Sequence, residues 1–149
     1  MVIFMKKPEL LAPAGNKDSL IAAIQAGADA VYLAGKLYGA RSYAGNFSNE
    51  ELIEALDYAH EYGVKIYVTI NTLVYEAEVD NFIEYVKFLY EIGVDAVIIQ
   101  DIGMFDLIHQ LYPDLELHIS TQMHIHNLEG VKLAEELGAS RVVLARETP

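Results

Sequence analysis

The chain has 149 residues, of which 53% are hydrophobic, a formal net charge of -12 and no cysteine. This length and apolar content are enough for one substantial core but not for two ordinary domains, so we predict a single domain over residues 1–149. The acidic balance offers no basic surface for nucleic-acid backbones. The missing cysteines exclude disulfides, a thiol nucleophile and a cysteine-ligated metal cluster.

The amino-terminal sequence does not have the pattern of a targeting segment. The apolar run Met1 to Met5 is short, and Lys6 and Lys7 follow it, whereas a signal peptide carries its positive charge before the apolar run. No stretch approaches the roughly 18 apolar residues of a membrane span. We therefore expect a cytoplasmic protein without a membrane segment.

One short pattern recurs along the chain: an amphipathic run ends at a glycine, and a β-branched apolar run follows. This pattern predicts a helix with a glycine after its C-terminus, leading into a strand. Capping residues begin several of the helices, namely Asn16, Ser48 with Glu51, and Asn127. The longest predicted helix is Glu76 to Ile92. The predicted strands are Glu9–Ala12, Ala30–Ala34, Lys65–Asn71, a fourth within Gly93–Asp101, Glu116–Ser120 and Arg141–Ala145.

Six strands that alternate with five helices predict an α/β fold with a parallel sheet. In a doubly wound sheet both faces of each strand meet helices, whereas a barrel strand has one face toward the lumen. The third strand is two-faced, because Ile66, Val68 and Ile70 alternate with Tyr67, Thr69 and Asn71. We therefore predict a parallel (β/α) barrel of the TIM type, truncated to about six strands.

Polar side chains follow the predicted strands, where chemistry collects in α/β folds. A long loop after the second strand carries Arg41, whose planar guanidinium suits a carboxylate or a phosphate. A solvated or structural arginine is the alternative. As catalytic candidates we take Asp101, His118 and Glu147. The substrate-binding candidates are Arg41, Asn71, Gln100, Gln122 and Arg146.

Protease chemistry has little direct support in these residues. Ser120, His118 or His124, and Asp101 are the only candidates for a serine-protease triad, but no G-x-S-x-G motif is present. A zinc protease of the HExxH type lacks its motif, so no metal site is predicted. Asp101 and Glu147 could act as general acid and base. Equally, each could be an ion-pair partner of Arg146 or Arg41.

Seven sequence blocks resemble a known family. They are ELLAPAGN, GADAVYLAG, ARSYAGNFSNEEL, YVTINTLVYEAE, GVDAVIIQD, HISTQMHIHN and RVVLARE, and they run from Glu9 to Glu147. Together they resemble the N-terminal part of the peptidase family of unassigned type number thirty-two, whose members are often labelled collagenase-like proteases. The resemblance implies a barrel with a substrate pocket. It also implies full-length relatives that hydroxylate RNA bases or a quinone precursor, with an iron–sulfur cluster held by four cysteines that this chain lacks.

Two hypotheses for function follow. In the first, the chain is the N-terminal barrel portion of a peptidase-family enzyme, with a small-molecule, peptide or RNA substrate left open and no cofactor in this chain. In the second, it is a non-catalytic binding or assembly module, or an inactive truncated fragment. The outer strands, Glu9–Ala12 and Arg141–Ala145, would have unpaired edges, so we expect a homo-oligomer, with a twofold dimer as the simplest closed form.

Overall fold

The structure is a computed structural model that describes residues 7–41 and 45–149. Its strands form one parallel sheet in chain order, β1-β2-β3-β4-β5-β6. They are β1 (Leu11–Pro13), β2 (Ala30–Leu33), β3 (Lys65–Ile70), β4 (Ala96–Ile99), β5 (Glu116–Ile119) and β6 (Arg141–Val142). Helices connect successive strands, which is the connection that parallel pairing requires.

The described residues form five α-helices, three of which begin just after the capping residues that the sequence indicates. They are α1 (Lys17–Gln25), α2 (Asn49–Glu61), α3 (Val79–Ile92), α4 (Ile102–Leu111) and α5 (Leu128–Glu136). The side chains of Asn16, Ser48 and Asn127 each accept a hydrogen bond from a backbone amide in the first turn of their helices. At the other end of α3, Gly93 has φ 85°, a left-handed conformation that glycine adopts without strain.

Several predicted boundaries were wrong by a few residues. The strand predicted at Glu9–Ala12 begins at Leu11, and the strand predicted at Arg141–Ala145 ends at Val142. The last strand ends early because the chain leaves the sheet, and the Ala145 amide donates to the Ile125 carbonyl. The helix predicted from Glu76 starts as a 3₁₀ turn, Glu76–Glu78, and becomes α-helical at Val79.

The sheet has an apolar layer on each face. Ile66, Val68 and Ile70 pack under the helices in the larger core. Tyr67 lies on the opposite face, in a smaller buried cluster with Ala30, Ala96 and Ile98. The alternation predicted for the third strand is confirmed. The sheet is therefore that of a curled half-barrel, with helices outside and a separate set of side chains inside.

A polar contact joins the two ends of the sheet across its inner face. The Arg141 guanidinium, at the start of β6, donates a hydrogen bond of 2.6 Å to Glu9 Oε1, just before β1. The Tyr67 hydroxyl donates to Glu9 Oε2 at 2.9 Å, and Arg141 lies 5.3 Å from the centre of the Tyr67 ring. We call Glu9, Tyr67 and Arg141, together with His118, the floor cluster. Contact between residues flanking the first and last strands requires a strongly curled sheet.

Within the described residues, no helix is long and apolar enough to cross a membrane.

Candidate functional site

A cavity of about 630 Å³ opens at the carboxyl ends of the strands. This size is ordinary for a small-molecule or cofactor pocket, and the location is the one used for binding in α/β barrels. Residues of the first four strands and residues that follow the last two contribute to its wall. The polar side chains in the lining are Tyr32, Arg41, Asn46, Thr69, Asn71, Ser120, Thr121, Gln122, His124, Arg146 and Glu147.

Asn71 organises the cavity wall, because it follows β3 directly and bridges two other segments. Its Oδ1 accepts a hydrogen bond of 3.1 Å from the Ala40 amide, which fixes the loop beside Arg41. Its Nδ2 donates to Ser120 Oγ at 3.4 Å. Ser120 Oγ in turn accepts from the Gln122 amide at 3.3 Å. One chain of contacts therefore links the loop after β2 to the turn after β5.

The described lining of this cavity carries more positive than negative side chains, although the protein as a whole is acidic. The chain has three arginines, and two of them, Arg41 and Arg146, line the cavity. The third, Arg141, is paired with Glu9 in the floor cluster. Among the residues that the structure describes, Arg41 and Arg146 make no ion pair. Glu147 is the one acidic side chain among the described lining residues, so the wall favours an anionic ligand.

Five of the predicted site residues lie together in this wall: Arg41, Asn71, Gln122, Arg146 and Glu147. Gln100, Asp101 and His118 do not line the cavity. The roles assigned to all eight residues stay predictions. Asp101 and His118 each make contacts away from the cavity lining.

Asp101 caps helix α4. Its Oδ1 accepts from the amides of Gly103 at 3.0 Å and Met104 at 3.1 Å, while Oδ2 accepts from the Val74 amide at 3.2 Å. A carboxylate held by three amides is well suited to an N-cap and to tying the loop after β3 to the start of α4. This arrangement does not support the predicted pairing of Asp101 with Glu147.

His118 is buried in the floor cluster, below the cavity. Its ring meets the Tyr67 ring edge-on, with the ring centres 4.7 Å apart, and Nε2 lies 3.2 Å from Glu116 Oε2. Burial is the main cause that lowers the pKa of His118, and burial likewise raises the pKa of Tyr67 to about 12. No group in the described part of the chain forms a hydrogen bond with His118 Nδ1. Neither ring nitrogen of His118 therefore contacts Ser120, and the described residues do not form a Ser120–His118 pair.

The residues at the site do not fit a cysteine-ligated cluster, since the chain contains no cysteine. Within residues 7–41 and 45–149, no group of three or more histidine, aspartate or glutamate side chains is arranged to hold a metal ion.

Sequence reasoning left several lining residues outside the predicted set. Thr69 lies on the inward face of β3 together with Tyr67 and Asn71, and the same alternation could have found it. Ser120, Thr121 and His124 belong to the polar cluster after β5, from which only Gln122 was taken as a site residue. His124 has φ 58°, a left-handed backbone conformation that is uncommon outside glycine and that no pattern in the sequence indicates.

Comparison with known proteins agrees with this architecture. Over 146 residues the chain is 43% identical to tRNA hydroxylation protein P1 of Bacillus subtilis, covering 98% of this chain and 35% of that protein. It is 42% identical over 149 residues to the 23S rRNA 5-hydroxycytidine C2501 synthase of Escherichia coli, covering 99% of this chain and 22% of that protein. The chain thus spans about a third or less of the length of these relatives.

The fold has a counterpart among solved structures. The U32 peptidase Mk0906 superposes with a TM-score of 0.75 at 15% sequence identity, over 97% of this chain and 62% of that one. Residues 15–149 match the family described as Peptidase family U32. The chain therefore belongs to peptidase family U32.

Proposed function

We propose that the chain forms the nucleotide-binding part of an RNA-base hydroxylation protein, and that its cavity takes a single nucleotide of the RNA. The observation that carries the proposal is the cavity at the strand ends, with two arginines free of acidic partners among the described residues. The two relatives cited above are named for hydroxylation of tRNA or rRNA, and both align over nearly the whole chain.

The net charge of -12 restricts how RNA can bind. A strongly acidic surface repels an extended phosphate backbone, because affinity for such a backbone depends on many lysines and arginines. A local pair of arginines inside a cavity suits one or two phosphates instead. Enzymes that act on a base commonly take that nucleotide out of its stack into a pocket of this kind. The geometry thus favours one extruded nucleotide over a long RNA footprint.

Peptide hydrolysis is less well supported by the same wall. Ser120 is the one serine among the described lining residues. Its hydroxyl contacts Asn71 and the Gln122 amide, not His118. Acyl transfer needs a nucleophile within hydrogen-bond reach of its base. A binding module without chemistry of its own remains compatible with the cavity, and the cellular experiment below separates it from a hydroxylation protein.

We further propose that the six strands are part of a closed eight-stranded barrel in the complete protein, and that the protein acts in the cytoplasm. A closed barrel would complete the cavity wall between β6 and β1. The iron–sulfur cluster implied by the resemblance would take its ligands from outside these 149 residues.

The cellular test is deletion of the coding sequence in the source organism, followed by mass spectrometry of nucleosides from tRNA and rRNA. We expect one hydroxylated nucleoside to disappear and to return when the wild-type gene is supplied. Arg146→Ala should not restore it. Lys132→Ala, which removes one positive charge from an exposed pair with Glu129 on α5, is the matched control and should restore it. An unchanged nucleoside profile in the deletion strain would refute the hydroxylation proposal.

The binding test uses the 149-residue chain and calorimetric titration with cytidine and uridine monophosphates. We expect Arg41→Ala and Arg146→Ala each to weaken binding by about tenfold, in line with the loss of one charge-assisted contact of about 1.5 kcal/mol. Lys132→Ala should bind like the wild type. Equal affinities in all four proteins would show that the two arginines do not hold the phosphate.

A further inference from the structure

Tyr32 is the one phenylalanine, tyrosine or tryptophan among the described residues that line the cavity. It packs against the smaller buried cluster on the inner face of the sheet, which contains Ala30 and Ile98. Its neighbours in β2, Val31 and Leu33, belong instead to the core under the helices. Tyr32 is only partly buried, whereas the rest of β2 is buried and the strand is paired on both sides. The exposed part of the Tyr32 side chain therefore faces the cavity.

Apolar side chains surround Tyr32 at the inner end of the cavity. Leu11 of β1 packs against the same inner cluster, Ile98 of β4 is a member of it, and both line the cavity. Three strands thus bring an apolar surface with one aromatic ring to this end. A flat, weakly polar group fits such a surface better than a phosphate or a sugar, because buried charges and hydroxyls need polar partners.

The cationic part of the cavity lies at its other end. Arg41 follows β2, in the loop whose Ala40 amide donates to the Asn71 side chain, and Arg146 follows β6. Both arginines lie beyond the carboxyl ends of the strands, whereas Tyr32 lies within a strand. The cavity therefore has an apolar inner end and a cationic mouth.

A nucleotide that is still part of an RNA chain fits this polarity in one orientation. Its phosphates are bonded to the neighbouring nucleotides and stay at the mouth, while the base is free to turn inward. Aromatic side chains hold bases by stacking, and one such contact contributes about tenfold in affinity. The base is also the flat, weakly polar part of the nucleotide, so it suits the inner end.

We propose that the nucleotide enters base first, that the base lies against the Tyr32 ring, and that the phosphate stays with Arg41 and Arg146. This assignment rests on the proposed function, since it places a nucleotide in the cavity. It makes Tyr32 a binding residue that selects ligands with a flat aromatic base. A sugar phosphate without a base occupies only the mouth and binds more weakly.

The first experiment measures the orientation in the wild-type chain, so it does not depend on the folding of any variant. Saturation-transfer difference NMR with cytidine monophosphate compares the saturation received by the base protons with that received by the ribose protons. We expect the base protons to receive more, because the inner end of the cavity surrounds the base. Equal saturation of base and ribose, or greater saturation of the ribose, would overturn the assignment.

The second experiment compares wild type, Tyr32→Leu, Tyr32→Phe and Arg146→Ala in the 149-residue chain. Calorimetric titration uses cytidine monophosphate, uridine monophosphate and ribose 5-phosphate, and thermal unfolding is measured without ligand. Ribose 5-phosphate keeps the phosphate but has no base. Tyr62→Leu is the matched control, since Tyr62 is 60% exposed. It caps the end of α2 that leads into β3, so it lies at the opposite end of the sheet from the cavity.

We expect Tyr32→Leu to lose about tenfold in affinity for both nucleotides, because leucine keeps the apolar bulk but not the ring. Its affinity for ribose 5-phosphate should not change. Tyr32→Phe keeps the ring and should bind both nucleotides within about threefold of the wild type. Arg146→Ala should weaken all three ligands, and Tyr62→Leu should bind each of them like the wild type.

The outcomes separate this assignment from the proposed function. If nucleotides bind to wild type and Tyr32→Leu equally, the assignment of Tyr32 is wrong while the proposed function stands. If Tyr32→Leu weakens all three ligands together, or if Tyr32→Phe loses as much affinity as Tyr32→Leu, the ring does not hold the base and the assignment is wrong again. If the wild type binds no nucleotide, the proposed function fails first and this assignment with it.

Discussion

The contact between Glu9 and Arg141 offers a direct measure of how firmly the two ends of the sheet are held together. Replacing Glu9 by Gln and Arg141 by Met, singly and together, gives a double-mutant cycle for the pair. Methionine keeps an apolar stem over the Tyr67 ring, so the cycle reports mainly on the lost charge contact.

The expected coupling lies between two limits. Hydrogen bonds to charged groups contribute about 1.5–3 kcal/mol, whereas exposed ion pairs contribute about 0.2–1 kcal/mol. The side chains of Arg141 and Glu9 are 36% and 27% exposed, so solvent screens the pair in part. We therefore expect a coupling of about 1 kcal/mol, equivalent to about 3 °C in melting temperature for a protein of this size.

The exposed pair of Lys17 and Glu54 provides the matched control. Its atoms are 2.8 Å apart, nearly as close, but its side chains are 63% and 61% exposed. The corresponding cycle, Lys17→Met with Glu54→Gln, should give a smaller coupling than Glu9 with Arg141, because solvent screens an exposed pair more strongly. Urea unfolding of the wild type and the six variants at neutral pH supplies the free energies of unfolding.

Acid provides a second check on the same pair. The hydrogen bond from Arg141 is the main cause that lowers the pKa of Glu9, so the folded protein binds that proton less readily than the unfolded chain. The coupling is therefore fully present above the usual glutamate pKa of about 4.3 and is lost as the pH falls through the folded value. A Glu9–Arg141 coupling no larger than that of Lys17–Glu54, or one that does not change with acid, would refute the reasoning that this partly buried contact holds the two ends of the sheet more firmly than an exposed ion pair would.

Four further predictions follow from the packing and the caps. A Cβ at Gly35 would overlap the Tyr85 hydroxyl, so Gly35→Ala should cost about 1–3 kcal/mol in urea unfolding, and adding Tyr85→Phe should recover part of it. Because burial lowers the pKa of His118 in the folded protein, the unfolded chain takes up this proton at a higher pH than the folded protein does. The free energy of unfolding should therefore fall as the pH drops below about 6.5, and His118→Phe should reduce this pH dependence. Asp101→Ala should cost about 1 kcal/mol through its cap. Asp101→Asn can keep the Oδ1 cap but loses the contact with the Val74 amide, so it should cost less than Ala; an Asn variant that folds yet fails to restore the modified nucleoside would support the predicted catalytic role. The open edges of β1 and β6 should make the chain dimerise, and light scattering that finds a monomer at all concentrations would refute this.

Local patterns explain why so much of the fold could be predicted. A capping side chain acts within three residues, so the starts of the helices at Asn16 and Ser48 are visible in the sequence. The alternation of Ile66 and Tyr67 is equally local, because a strand turns successive side chains to opposite faces. Boundaries were less accurate, since the end of β6 depends on where the Ala145 amide finds a carbonyl in another segment.

Contacts distant in sequence could not be predicted in this way. Glu9 and Arg141 are 132 residues apart, and their meeting depends on the curl of the whole sheet. Asp101 illustrates a second limit. An acidic residue between a strand and a helix predicts a catalytic carboxylate and a helix cap equally well. The three amides around its carboxylate show the cap, while the catalytic role stays a prediction.

The position of a residue along the lumen explains the remaining difference between the predicted and observed sites. His118 and Ser120 share the inward face of the fifth strand, so alternation alone treats them as equivalent. Two residues of strand advance the chain by about 6.6 Å, which is the difference between the floor of the barrel and the cavity above it. Ser120 consequently lines the cavity, while His118 is buried against Tyr67. Alternation predicts which side chains point inward, and the end of the strand decides which of those line the cavity.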